Sequence, residues 1–221
     1  RTTDRLGKGI RTAARDAMLS DESLPETRGR VFGFHRSMDT LGAVAGPALA
    51  LIYLYFNPEN YRTLFIIAFV PGLLAIACTF LMKDKNSNPA TRKEITKAGI
   101  FSFTSYWKNS PATYKKLSAG LLLFALINSS DVFLLLKMKE SGQDDTVIIG
   151  IYIFYNLVYA LLSYPMGMLA DKVGLKYIFS GGLLVFSIVY AGFAVSSSLM
   201  SYLLLFALYG LYAAATEGIS K

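Results

Sequence analysis

Cysteine, histidine and tryptophan each occur once in this chain, and charge is scarce. The lone cysteine, Cys78, excludes an internal disulfide. It lies in an apolar run and reads as a small core hydrophobe. Metal-ligand clusters, phosphate-binding loops and nucleophile triads are all lacking, so no metal, cofactor or catalytic residue is expected, and the chain is not expected to be an enzyme. Charged residues make up 17% of the 221 positions. A water-soluble domain of this length carries about 25%, so an ordinary soluble domain is excluded. An initiator methionine is lacking too. The chain begins at Arg1 and stops at Lys221 partway through an apolar pattern. It is therefore expected to be a piece of a longer protein, with no targeting segment in view.

Apolar residues are abundant instead. They make up 53% of the chain, and mean hydropathy is +0.42. Apolar runs of roughly 20 residues recur, long enough to cross a bilayer core as helix. They are apolar on all faces rather than striped, which excludes a soluble helical protein. The expected fold class is all-α, a polytopic membrane helical bundle. The formal net charge of +7 does not imply a nucleic-acid partner. Lys and Arg collect in the cytoplasmic loops of membrane proteins.

In chain order, residues 1 to about 20 read as a charged helix. Asp4, Lys8, Arg11 and Arg15 recur every three or four residues and so share one face. A polar loop follows over 20–30. Val31 to about Tyr55 is the next span, punctuated by Gly33, Gly42, Gly46 and Pro47, with His35, Arg36 and Asp39 in its first turns. Asn57 to Asn60 is a tight turn. Thr63 to Met82 is a third span, with Pro71 as a kink. Residues 83–116 form a long basic connector, and 100–107 within it is an amphipathic piece with interfacial aromatics. Leu117 to about Leu136 is a fourth span, interrupted at 128–131. Lys137 to Asp145 is a loop. Val147 to Ala170 is a fifth span, bent at Pro165, and Tyr177 to about Val195 a sixth. Ser196 to Ser201 is a turn, and Tyr202 to Lys221 opens a seventh.

This order divides the chain into a first helical half over 1–82, the connector over 83–116, and a second half over 117–221. The connector's Lys and Arg excess places it in the cytoplasm. Alternation then puts the 20–30 and 171–176 loops inside and the 57–60, 137–145 and 196–201 loops outside. The expected location is the inner or plasma membrane, crossed many times.

The stretch GMLADKVGLK from Gly167 to Lys176 resembles the G-x-L-A-D-[RK]-x-G-[RK]-[RK] signature of the major facilitator superfamily. Leu175 stands where that family usually has a basic residue. Gly33, Gly42, Gly46 and Pro47 are similar to the fifth-helix motif of its antiporters, with Ala50 and Leu51 in place of the closing glycine pair. Arg1 to Gly9 looks like the fourth-helix Arg-and-glycine motif, with Arg5 and Lys8 where many members have Gly. The resemblance implies a major facilitator bundle, incomplete at both ends, running from within the fourth helix to within the tenth. It also implies that Gly167, Asp171, Lys172, Gly174 and Lys176 form a gating loop. In the family the carboxylate matching Asp171 meets a neighbouring helix terminus or basic side chain and helps hold the outward-facing state.

Charges inside a span are functional hypotheses by default, because they cost about 2.5–3.5 kcal/mol on insertion scales. Asp39 is placed to pair with Arg11 or Arg15. With Arg36 they form either a static salt-bridge cluster at the inner rim, or a gate, or a surplus of positive charge that meets an anionic substrate. Asp131 follows Asn128 in an apolar span and shares its face by i, i+3 spacing. It is either a proton-coupling carboxylate of raised pKa or a wet helix terminus. Glu217 either faces a central cavity or lies near solvent. His35, at a helix start, reads as an interface residue rather than a proton switch. Tyr152, Phe154, Tyr155 and Tyr159 either pack or line a cavity.

The expected function is secondary transport of small solutes by alternating access, with proton-coupled efflux as the leading form. The alternatives are uptake by symport or facilitated diffusion of an anionic metabolite, and a non-transporting membrane sensor. The expected partners are the lipid bilayer, a small-molecule substrate and protons. The chain is expected to be a monomer.

Overall fold

A computed structural model describes residues 12, 15–81, 107–128 and 130–217. Residues 83–106 of the basic connector fall outside the described residues, including all of its amphipathic piece but Trp107, as do Arg11 and most of the first charged helix. Seven helices carry the described fold: α1 (Arg28–Phe56), α2 (Tyr61–Leu81), α3 (Ala112–Ile127), α4 (Asp131–Glu140), α5 (Asp145–Val173), α6 (Leu175–Val195) and α7 (Leu199–Thr216). A helical segment over 15–22 and a short 3-10 turn at Pro25–Thr27 precede them. Among the described residues, six stretches are long and apolar enough to cross a membrane, α3 and α4 counting together as one over Ala112–Glu140.

The chain divides into two compact units, Arg1–Pro58 with Val132–Lys221, and Glu59–Asp131. In the second unit, α2 exposes nearly every described side chain, Phe65, Phe69 and Phe80 among them. Lipid can solvate such a surface and water cannot. In the first unit, α1 packs along α5, α5 along α7, and α7 along α6.

The helix ends follow local chemistry. α4 runs to Glu140, beyond the expected span end, so the loop shrinks to 141–144. Lys137 and Lys139 occupy its last turn, where cations suit the helix dipole. Gly142, at φ +81°, then ends it. α5 starts at an Asp144 cap, whose Oδ2 accepts from Thr146 N–H at 3.1 Å. Hydrogen bonds from the Thr146 side chain and backbone hold the Asp144 carboxyl below its ordinary range. The cap is therefore intact at neutral pH and lost only as pH falls through that lowered value. Ser198 caps α7, accepting from Ser201 N–H at 3.2 Å, so that helix starts three residues earlier than expected. α5 stops at Gly174, whose φ of +106° suits a residue without Cβ. Both α2 and α5 continue as helix through Pro71 and Pro165.

The α1–α5 seam is a contact of backbones. A Cβ on Gly29 would lie 2.6 Å from Gly167 O, and one on Gly33 would lie 2.6 Å from Ser163 O. One turn on, Ser37 Oγ donates to Ala160 O at 2.5 Å. Small residues recur every four positions on α1 (Gly29, Gly33, Ser37) and at a similar spacing on α5 (Ala160, Ser163, Gly167). Without a hydrophobic driving force in lipid, helices associate through such close packing and interhelical hydrogen bonds. α7 is the most enclosed helix, with Tyr202 and Phe206 both fully buried.

The seam predicts an asymmetry among glycines. Gly167→Ala should destabilise the folded protein by about 1–3 kcal/mol through overpacking. Gly150→Ala, with open space around it among the described residues, should leave stability equal or higher. Thermal unfolding in detergent checks both.

Candidate functional site

α1 begins without a cap of its own, since the Thr27 side chain makes no capping hydrogen bond. The first N–H groups of a helix lack intrahelical partners and carry the positive end of its dipole. Here α5 satisfies two of them. Asp171 Oδ1 accepts from Gly29 N–H and Oδ2 from Arg30 N–H, each at 2.8 Å. Both bonds are charge-assisted and use both carboxylate oxygens. The contact exists because Gly29 lacks a side chain: a Cβ there would lie 2.6 Å from Asp171 Oδ1.

Arg36 lies about 12 Å further along α1, at 1.5 Å per residue from Arg28. Its Nε donates to the Tyr159 hydroxyl on α5, and its Nη2 pairs with Glu217 Oε2 at the end of α7. The Tyr159 hydroxyl donates to the same Glu217 oxygen at 2.8 Å. Arg36 Nη1 also lies 3.4 Å from Asp39 Oδ2. The guanidinium sits over the Tyr159 ring, 5.2 Å from its centroid, which adds a cation–π contact. Tyr159 is buried and stacks on Tyr155 at 6.2 Å between centroids. An unneutralised Arg in a membrane-length helix is costly, so these acids hold the charge in place. The Arg36 side chain is 24% exposed, whereas Glu217 and Asp39 are 45% and 52% exposed. Among the described residues the cation is thus the more enclosed partner and the carboxylates the more exposed.

The expected site residues separate in the fold. Arg36, Asp39 and Glu217 come together. Among the described residues Asp39 pairs with Arg36, one turn away on its own helix; of its expected partners, Arg15 pairs instead with its neighbour Asp16 at 3.1 Å. Arg11 lies outside the described residues. The shared face of Asn128 and Asp131 is corrected. Asn128 caps the end of α3 in an extended conformation and Asp131 starts α4, so i, i+3 helical spacing does not relate them. Asp131 sits in the first turn of α4, where the helix dipole suits a carboxylate. Gly167, Asp171 and Gly174 build the α5–α6 corner, and Lys172 and Lys176 are exposed around it. Gly33 packs into the seam, whereas Gly42 and Gly46 meet nothing within 4 Å among the described residues. Pro47 is held within α1.

Gly29 and Ser163 belong to this arrangement but were not singled out by sequence reasoning, and Tyr159 was named only as one of four aromatics that pack or line a cavity. The four-residue rhythm of small residues in α1 signals Gly29. No comparable signal marks Tyr159 among the neighbouring aromatics.

Comparison with known proteins follows the same lines. The sequence profile of the Major Facilitator Superfamily matches residues 4–220. An uncharacterized MFS-type transporter of Methanocaldococcus jannaschii is 38% identical over 224 residues, covering 99% of this chain and 54% of that protein. Uncharacterized proteins of Mycobacterium bovis and Mycobacterium tuberculosis are 28% identical over 91 residues, or 41% of this chain and 22% of theirs. The chain thus spans about half the length of the first of these relatives. No solved structure matches.

The cap on α1 predicts an unusual pair of variants. Asp171→Ala should cost about 0.5–2 kcal/mol, the range for a lost N-cap. Asp171→Asn should cost nearly as much, because its amide group turns a donor toward one of the two N–H groups. Denaturation of the purified protein, with both variants side by side, checks this.

Proposed function

Because the chain belongs to the major facilitator superfamily, we propose that it forms part of a secondary transporter working by alternating access. The observation that carries this reading is how α1 is tied to α5 and α7. α1 precedes the basic connector and the other two follow it. The ties are the Asp171 carboxylate on the α1 N-terminus and the Arg36–Tyr159–Glu217 cluster. Such ties break and reform without unfolding any helix. They suit two halves, 1–82 and 117–221, that rock about a central site. On this reading the Asp171 end faces the cytoplasm of an inner or plasma membrane. Its closure holds the outward-facing state, and the transporter acts as a monomer.

The driving force in this proposal is a proton gradient, sensed by Glu217 or Asp131, with efflux by exchange as the leading form. Glu217 is supported by its bond to a cation in a membrane-length helix, since protonation weakens that bond. A second reading, symport of an anionic metabolite, is favoured by the guanidinium of Arg36 within such a helix. The family itself points to a transporter rather than an enzyme.

The test is a pH gradient imposed on vesicles holding the full-length protein, with solute-dependent proton flux read by an internal pH dye across a substrate screen. Glu217→Gln or Asp131→Asn should lower gradient-driven flux by at least about tenfold, as a lost coupling group does. Unchanged flux in both variants sinks proton coupling through these residues.

A further inference from the structure

The Arg36 cluster is built around one oxygen atom. Glu217 Oε2 accepts from Arg36 Nη2 on α1 and from the Tyr159 hydroxyl on α5, the latter at 2.8 Å. The two donors are fixed from behind. Tyr159 is 3% exposed and stacks on Tyr155, and the guanidinium lies across the Tyr159 ring. The planar guanidinium fork matches carboxylate geometry. The occupant is held differently. Glu217 follows the last residue of α7, and its side chain is 45% exposed. A buried tyrosine hydroxyl and an enclosed guanidinium thus hold a carboxylate that is, among the described residues, the more exposed partner.

We infer that Arg36 and Tyr159 form the anion seat for a substrate bearing a single carboxylate, and that Glu217 occupies this seat when the substrate is absent. This rests on the alternating-access reading and names the substrate class for it. A substrate carboxylate in the seat bridges α1 and α5 while releasing α7, so binding changes which helices are tied together.

Charge decides the stoichiometry. Among the described residues, Glu217 meets Arg36 on α1 and Tyr159 on α5, and Arg36 also meets Asp39 on its own helix. Among them, one cation thus meets two carboxylates. A further anion entering with both ionised would add uncompensated negative charge in a membrane-length bundle, which is costly. A proton on Glu217 removes that excess and weakens its hold on Arg36. One proton therefore accompanies one monocarboxylate. A dianion would need a second proton, which selects against phosphate esters and dicarboxylates.

The experiment uses the purified full-length protein in detergent. Thermal unfolding is followed with acetate, lactate and benzoate, each against its uncharged amide. At least one carboxylate should raise Tm where its amide does not, and more strongly at acidic than at neutral pH. Arg36→Gln and Tyr159→Phe should weaken the effect. Glu217→Gln should tighten carboxylate binding at neutral pH on the order of tenfold and flatten its pH dependence. A misfolded variant cannot produce that gain. The inference is overturned if no carboxylate differs from its amide in wild type and in Glu217→Gln. It is equally overturned if Glu217→Gln weakens binding, as loss of a direct substrate ligand would. The two readings separate cleanly. Carboxylate binding in this pattern without gradient-driven flux in vesicles retires the coupled-transport reading and keeps the seat. Gradient-driven flux with no carboxylate binding does the reverse.

Discussion

The carbonyl oxygens of Ser163 and Gly167 stand where side chains of α1 would otherwise be, because Gly29 and Gly33 have none. That backbone contact sets the distance between α1 and α5, and the rest of the described chemistry depends on it. At this separation the Asp171 carboxylate reaches the N–H groups of Gly29 and Arg30, and Ser37 reaches the Ala160 carbonyl. Further along the same pair of helices, Arg36 reaches Tyr159. A methyl group in the seam would move all of these contacts together.

The seam also explains why a helix can begin without its own cap. Thr27 leaves the α1 N-terminus unserved, and a carboxylate from α5 completes it. The same holds for Arg36, whose neutralising acids come from α1 itself and from α7. Polar ties of this kind carry direction and charge, so a proton or an anion can change them. The apolar packing of α7 against α5 and α6 offers no comparable response.

Two surfaces coexist in the described fold. The aromatic packing around Tyr155, Phe206 and Tyr209 encloses α7. The long apolar faces of α2 and the later turns of α1 remain exposed. In water the second surface would be untenable at this size. In a membrane protein the interior is recognised by small and polar residues rather than by hydrophobicity.

Length and composition by themselves determined that this is a membrane helical bundle, because apolar runs of spanning length have no stable alternative in water. The sequence also placed most helices to within a few residues, since Gly142, Gly174, Asp144 and Ser198 end or start them by local rules. The motif glycines and Asp171 were legible as a unit for the same reason, being close in sequence. Pairing was not. Asp171 and Gly29 are separated by 142 positions, and Arg36 and Glu217 by 181, so no local periodicity joins them. Helical spacing even misled at Asn128 and Asp131, because α3 ends at Ile127 and α4 begins only at Asp131. Which acid neutralises Arg36, and which tyrosine supports it, follows from the approach of α1, α5 and α7. Only the tertiary structure decided that, because backbone contact at four small residues fixes the register on which every long-range polar contact depends.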